Sequence, residues 1–372
     1  MRKALIVATI GGFICSFEKN DIKLLKNLGY EVYIACNIED RKEELEQLEC
    51  KIVHLPIERN PFKKQNVTSY PQLKNLIEKE KFDLIHCHTP VGGVLARMAG
   101  RKKRKVGTKV IYTAHGFHFF KGAPIINWLI YYPIERWFSR YTDVLVTINY
   151  EDYARAKTFH AKKVEYIPGV GVDTEKFSPN NISQIKKEQL CKEFAINEDD
   201  IVLLSVGELS TRKNQRVVLE ALSKLENRNI KYLLVGEGPL KEKYQKLVQR
   251  FQLENRVIFT GFRRDIKEIC DITDIFVFPS LQEGLPVALM EAMASGLPVV
   301  CSDIRGNTDL IENGKGGFLV SPKDSIMLAN KIKEIIDNPG LKKSMVKYNR
   351  DRMELFSIEE VKMQMGKIYG NI

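Results

Sequence analysis

Two carboxylates eight positions apart, Glu283 and Glu291, stand in the segment Pro279-Ser280-Leu281-Gln282-Glu283-Gly284-Leu285-Pro286, which runs on to Met290-Glu291-Ala292. The first lies at a glycine-containing turn after the strand-like Ile275–Phe278, the second about two turns along an Ala/Met-rich helical stretch. Free N–H groups at Gly284 and Leu285, beside a helix start, suit sugar or phosphate oxygens. Arg212 and Lys213 follow another strand pattern, Ile201–Val206, and Gly207. Two cations near a helix start can hold a diphosphate and stabilise the charge that grows as it leaves. Gly207, Gly236 and Gly261 each end a strand pattern, where a missing Cβ lets backbone approach a ligand. His115, also followed by glycine, ends the strand Val110–Ala114. The residues from Gly207 to Glu291 are the set that a nucleotide diphosphate-sugar would need.

Other chemistries fit less well. His86 and His88 alternate along Leu84–His88, but no third ligand stands at a recognisable spacing, so no metal is expected. Gly11-Gly12-Phe13 follows the first strand without a full G-x-G-x-x-G. Ala35-Cys36-Asn37 ends the second strand where a dinucleotide site needs an acidic residue. Seven scattered cysteines, odd in number and without a C-x-x-C pair, argue for a reducing compartment and against disulfides or a zinc cluster.

The elements that position these residues alternate. Strand patterns at Ala4–Thr9, Val32–Cys36, Ile52–Leu55, Leu84–His88, Val110–Ala114 and Val144–Ile148 are separated by helical ones, including Asp21–Leu28, Arg41–Leu48 and Tyr70–Glu80. A Gly/Pro/Asn-containing stretch, Gly169–Asn181, precedes a second series at Ile201–Val206, Tyr232–Val235, Val257–Thr260, Ile275–Phe278, Val299–Cys301 and Gly317–Val320. Short apolar runs alternating with helices predict parallel doubly wound sheets, hence an α/β chain of two Rossmann-like domains with ligand in the cleft between them. The expected domains are residues 1–175, 176–355 and a final helix within 356–372, capped by Ser357 with Glu360 three positions on. A length of 372 residues accommodates two cores. The short run Ala4–Ala8 leads straight into Gly11-Gly12 and reads as a strand rather than a signal peptide. No stretch reaches the roughly 18 apolar residues of a membrane span.

At 44% hydrophobic and 28% charged residues the chain reads as globular. Its net charge of +11 is concentrated: residues 59–140 hold 16 Lys/Arg against 4 Asp/Glu, an excess that covers the whole of it. Such a field draws anionic partners. Within it, Arg101-Lys102-Lys103-Arg104-Lys105 reads as a solvated loop after a helix from Gly92 to Gly100. Residues 117–140, rich in Phe, Tyr, Trp and Ile, fit either a surface lying on an anionic bilayer or a buried helix pair. Aromatics beside cations also suit nucleic acid, but no recognition motif supports that partner.

The Glu283–Glu291 segment, Lys213, the glycine-ended strands and His115 together resemble the retaining nucleotide-sugar glycosyltransferases of family 4, over nearly the whole chain. That resemblance implies the GT-B architecture, with the last helix crossing back to the first domain. It implies that Lys213 binds phosphate and that Gly261, Phe262 and Arg263 contact the base through backbone. Glu291 is expected to bond the ribose hydroxyls, Glu283 with Gly284 and Leu285 to hold the donor sugar, His115 to lie near that sugar, and Gly12 to form an acceptor-side loop. Many members carry arginine where Glu208 stands, so that role has either moved to Arg212 or been lost. The implied reaction moves a hexose or N-acetylhexosamine from a UDP-sugar to a polyprenyl-diphosphate-linked glycan in capsule or exopolysaccharide synthesis. It proceeds with retention, without metal or other cofactor, on the inner face of the cell membrane, with residues 59–140 against the anionic surface. A non-hydrolysing UDP-HexNAc epimerase and a non-catalytic membrane or nucleic-acid adaptor are the alternatives.

Overall fold

The chain forms two compact units, Met1–Val170 with Glu359–Ile372, and Gly171–Ile358. The computed structural model describes residues 1–179, 182–226 and 229–372. Asn180 and Asn181, at the end of the Gly/Pro/Asn-containing stretch, lie outside them.

The first unit is built on seven strands: β1 (Arg2–Ile10), β2 (Tyr30–Asn37), β3 (Lys51–His54), β4 (Leu84–His88), β5 (Lys109–Ala114), β6 (Val144–Thr147) and β7 (Lys163–Tyr166). They run in the order β3-β2-β1-β4-β5-β6-β7, every pair parallel. Helices cover both faces, which is why the buried part of β1, Ala4–Ala8, reads as an unbroken apolar run rather than an alternating one. The edge strand β7, Lys-Val-Glu-Tyr, is absent from the sequence reading because it is short, charged and nowhere fully buried. Strand order reverses between β1 and β4, so their carboxyl ends flank the position where open α/β sheets bind ligands. At that edge Thr89 holds a φ of +61°, costly for a β-branched residue. It is pinned by a 2.7 Å hydrogen bond between its hydroxyl and that of Thr9, while the Thr9 N–H donates to the same oxygen at 3.2 Å.

Three local expectations change. Gly11-Gly12-Phe13 is not a loop but a helical turn, which widens into a π-turn over Ile14–Glu18 before the helix Lys19–Asn27. Gly11 packs so tightly on Leu45 that a Cβ would lie 2.7 Å from its Cδ1. The Gly12 N–H is already taken by Asp40 Oδ2 at 2.9 Å. The basic run is not a solvated loop either: Arg101–Arg104 form the last turn of the helix Pro90–Arg104, where cations face the negative end of the helix dipole. Third, residues 125–138 form one helix, Ile125–Phe138, rather than a buried helix pair. Trp128 and Tyr132 pack on Phe119 in the core, while Ile125, Ile126, Leu129 and Trp137 are exposed.

The last helix, Ile358–Gly370, belongs to this first unit, and Tyr369 is buried there. The second unit carries β8 (Ile201–Val206), β9 (Ile230–Val235), β10 (Val257–Gly261), β11 (Ile275–Phe278), β12 (Val299–Ser302) and β13 (Gly317–Val320). Their order is β10-β9-β8-β11-β12-β13, again all parallel. Strand order here reverses between β8 and β11. All seven cysteines are free, and no described helix is long and apolar enough to cross a membrane.

Candidate active site

In the second unit the reversal point gathers the residues with chemistry. Arg212 and Lys213 occupy the turn after β8, ahead of the helix Arg216–Leu222, and Glu283 lies on the loop leaving β11. Lys213 Nζ donates to Glu283 Oε1 at 2.8 Å and Arg212 Nη1 donates to the same oxygen at 3.0 Å. The two loops are tied by backbone as well: the Leu281 N–H donates to the Arg212 carbonyl at 2.8 Å. Asn214, at φ +55°, spans from that turn to the Pro279 and Pro322 carbonyls at 3.0 and 2.7 Å. From below, Arg305 Nε and Nη2 donate to the Glu283 carbonyl at 3.2 and 3.1 Å. Gly306 presses so close that a Cβ would lie 2.3 Å from the Gly284 oxygen. Burial lowers the pKa of the Lys213 ammonium, and the Glu283 charge offsets part of that shift.

Around this pair the glycine turns stack. Gly207 has φ +148° and a Cβ there would meet Lys213 Cε at 3.0 Å, so the lysine stem fills space that a side chain would take. Gly236 is more constrained: its Cβ would fall 2.1 Å from the Gly207 oxygen. Its N–H donates to the Gly261 carbonyl at 2.9 Å. Phe262, next in the chain, is exposed. Glu291 is the fifth residue of the helix Val287–Ala294, just over one turn in rather than two, because the helix begins only after Pro286. Burial pushes its carboxyl up to about 7, with Lys176 opposing. Among the described residues its carboxylate has no hydrogen-bond partner, a costly state for a half-buried acid that a donor-rich ligand would relieve.

In the first unit His115 follows β5, and the structure brings it to His88 and to Glu18, a residue the sequence reading did not single out. His88 Nδ1 lies 3.2 Å from both His115 Nε2 and Glu18 Oε1, and His115 Nε2 lies 3.8 Å from that oxygen. These three ligand atoms are close enough to share a metal ion, and they are equally a hydrogen-bonded set. Burial disfavours the charged form of each. It pushes His115 down to about 4, His88 well below its ordinary value, and Glu18 well above its own, with Asp21 adding to the last. The His86 ring packs on that of His88, with centroids 4.1 Å apart, but its nitrogens bond outside the trio. Its Nδ1 meets the Tyr369 hydroxyl at 2.7 Å and its Nε2 the Thr113 hydroxyl at 2.8 Å. The Tyr369 hydroxyl also donates to Asp21 Oδ2 at 2.9 Å.

Residues 22–176 match Glycosyltransferase Family 4, and residues 186–352 match Glycosyl transferases group 1. EpsD of Bacillus subtilis (strain 168), which carries a glycosyltransferase name, is 39% identical over 99% of this chain and 96% of its own. This chain is a family 4 glycosyltransferase. A second relative, 31% identical over 74% of this chain and 72% of its own, comes from Escherichia coli. It is named UDP-Gal:alpha-D-GlcNAc-diphosphoundecaprenol alpha-1,3-galactosyltransferase. Anabaena HepE, solved with UDP and glucose, shares the fold at a TM-score of 0.80 over all of both chains, with 20% identity.

Within this glycosyltransferase the structure joins Arg212, Lys213 and Glu283 in one ion cluster and aligns Gly207 and Gly261 beside it. Two supports of that cluster, Asn214 and Arg305, went unread in the sequence. Arg305-Gly306 follows β12 by the same strand-then-glycine signal that marks the other turns, and could have been found by it. Glu18 carries no such signal, because only the π-turn carries it inward. The cluster can bind an anion by trading Glu283 for phosphate on its two cations, which frees the Glu283 carboxylate to accept sugar hydroxyls.

Proposed function

We propose that the protein is a retaining transferase moving a hexose or N-acetylhexosamine from a UDP-sugar to a polyprenyl-diphosphate-linked glycan in capsule or exopolysaccharide synthesis. The observation that carries this reading is the Lys213–Glu283–Arg212 cluster at the β8/β11 reversal point, with the unpartnered Glu291 carboxylate on the following helix. Cations for a diphosphate and carboxylates for sugar and ribose hydroxyls are what a nucleotide-sugar needs. UDP in the complex of the fold relative, and both UDP-galactose and a diphosphoundecaprenol acceptor in the name of the E. coli relative, support this choice of substrates.

Lys213 and Arg212 receive the diphosphate as it departs, Gly261 and Phe262 hold the base, and Glu291 holds the ribose. Glu283, with the N–H groups of Gly284 and Leu285, positions the transferred sugar, and His115 keeps its assignment to the donor sugar. A double displacement would need a carboxylate close beneath the anomeric carbon, and Glu283 is assigned to the sugar hydroxyls instead. Attack is therefore from the front face. The acceptor hydroxyl oxygen bonds the anomeric carbon as the bond from that carbon to the phosphate oxygen breaks, and the hydroxyl proton passes to the departing phosphate. Positioning and charge stabilisation supply the rate, and the two cations take the role a metal would otherwise fill. The Gly12 turn lies on the acceptor side.

Release of UDP from a panel of UDP-sugars, with and without a polyprenyl-diphosphate-linked sugar, tests the reading. Release from one donor only when the lipid is present is expected. Silence across the panel from folded protein, or release indifferent to the lipid, would overturn it.

A further inference from the structure

The first unit contains a cavity of about 450 Å³ that no residue of the proposed chemistry explains, within the roughly 300–1,000 Å³ range of small-molecule sites. Its walls are mainly apolar, with Phe13, Val91, Val94, Leu95, Ile130 and Ile134 among them. Nearly every polar group on the wall is spoken for. Glu135 accepts from Arg97 at 2.8 Å and from the Tyr112 hydroxyl at 2.9 Å. Asn66 is bonded to the backbone of Glu58 and Asn60, and Thr9 to Thr89. Of the two charged residues that line the cavity, Glu135 is thus neutralised. Arg59 is exposed and has no partner among the described residues.

An apolar chamber with one free cation at its rim fits an amphiphile with an anionic head. Two further features say which kind. Ile126, Ile130, Ile134 and Trp137, spaced four, four and three apart, form one stripe along the helix Ile125–Phe138. Ile130 and Ile134 line the cavity, while Ile126, Ile134 and Trp137 are exposed, so apolar side chains on one helix face lead from the chamber to the outside. A chain longer than the chamber can leave along it. At the other side Phe13 closes the chamber against the histidines, its ring centroid 4.9 Å from that of His115 and 5.7 Å from that of His88.

We infer that this cavity binds the first isoprene units of the acceptor lipid, with Arg59 at its diphosphate and the rest of the chain leaving along the Ile126–Trp137 stripe. The inference deepens the proposed function and rests on it for the identity of the acceptor. The binding itself is measurable without turnover.

Farnesyl diphosphate is titrated against the full chain, its Val94→Trp variant and its Ile130→Trp variant, with inorganic diphosphate and phosphatidylglycerol vesicles as competitors and UDP binding as the check on folding. Wild-type protein should bind farnesyl diphosphate at least about ten-fold more tightly than inorganic diphosphate, since only the former buries apolar surface. Each tryptophan variant should lose that preference while binding UDP normally. A preference that survives in either variant with normal UDP binding would overturn the assignment. So would displacement by phosphatidylglycerol as effective as by farnesyl diphosphate itself. Farnesyl binding as expected, in a protein that never transfers sugar, would leave the cavity standing and sink the proposed function instead.

Discussion

Glu283 and Lys213 meet at 2.8 Å in a largely buried position, and the two can be separated by substitution. Glu283→Gln keeps size and shape, so melting should move by only a few degrees. Turnover should fall by roughly 10²–10³-fold, the usual loss when one preorganised polar contact to the transition state is removed. Lys213→Ala should lose as much, chiefly in kcat, because its partner charge grows as the diphosphate leaves. Near-normal rates in either variant would reject the cluster as the site. Glu291 makes a pH-dependent claim. With its carboxyl raised to about 7, it is half protonated near neutrality, and only the ionised form accepts two ribose hydroxyls. UDP affinity should therefore strengthen as pH rises from about 6 to about 8, by up to roughly ten-fold per unit below the pKa. Glu291→Gln should flatten that dependence, as calorimetry at three pH values would show.

At the scale of elements, the helix Ile358–Gly370 is joined to β4 and to the helix Lys19–Asn27 through Tyr369, His86 and Asp21. These groups push acid stability in opposite directions. Burial depresses His86 to about 3; its contribution is present above the ordinary histidine value and is lost as pH falls from about 6.5. Burial raises Asp21 to about 6; its contribution is present below the ordinary carboxylate value and is lost as pH rises through about 6. Between about pH 6 and about pH 4 the two slopes oppose. Asp21→Asn should therefore destabilise progressively with acid relative to wild type, by up to about 1.4 kcal/mol per pH unit, read from urea midpoints. Equal slopes in the two proteins would refute this. The same elements show what a sequence can and cannot give. Both sheets, apart from β7, were legible because buried parallel strands are apolar runs between helical patterns, and Glu283, Lys213 and the glycine turns were legible because they punctuate strand ends. The Glu18–His88–His115 trio was not, since it is made by a π-turn and by neighbouring strands far apart in sequence. Nor was the helical state of Arg101–Arg104, where a run of charge hid the continuation of an apolar face on its N-terminal side.

For the molecule as a whole, the exposed Ile125, Ile126, Leu129 and Trp137 lie within the stretch that carries the positive charge. Binding to vesicles containing phosphatidylglycerol should be salt-sensitive, each basic residue adding on the order of 1 kcal/mol near the surface. Replacing Lys102 and Lys103 with Gln should weaken it, and Leu129→Ser should weaken what remains at high salt. Salt-independent binding, or none, would remove the membrane from the account. The proximity of Glu18, His88 and His115 makes metal dependence a sharp question, and chelation with EDTA should leave turnover unchanged; loss restored by zinc would assign the trio to a metal. The most direct measurement is the mass of the lipid product. Incubated with the donor found active and a polyprenyl-diphosphate-linked sugar, the wild-type protein should add one sugar residue to the lipid for each UDP released, and Lys213→Ala should add almost none. UDP formed with no gain in lipid mass, or equal gain in the variant, would contradict the account.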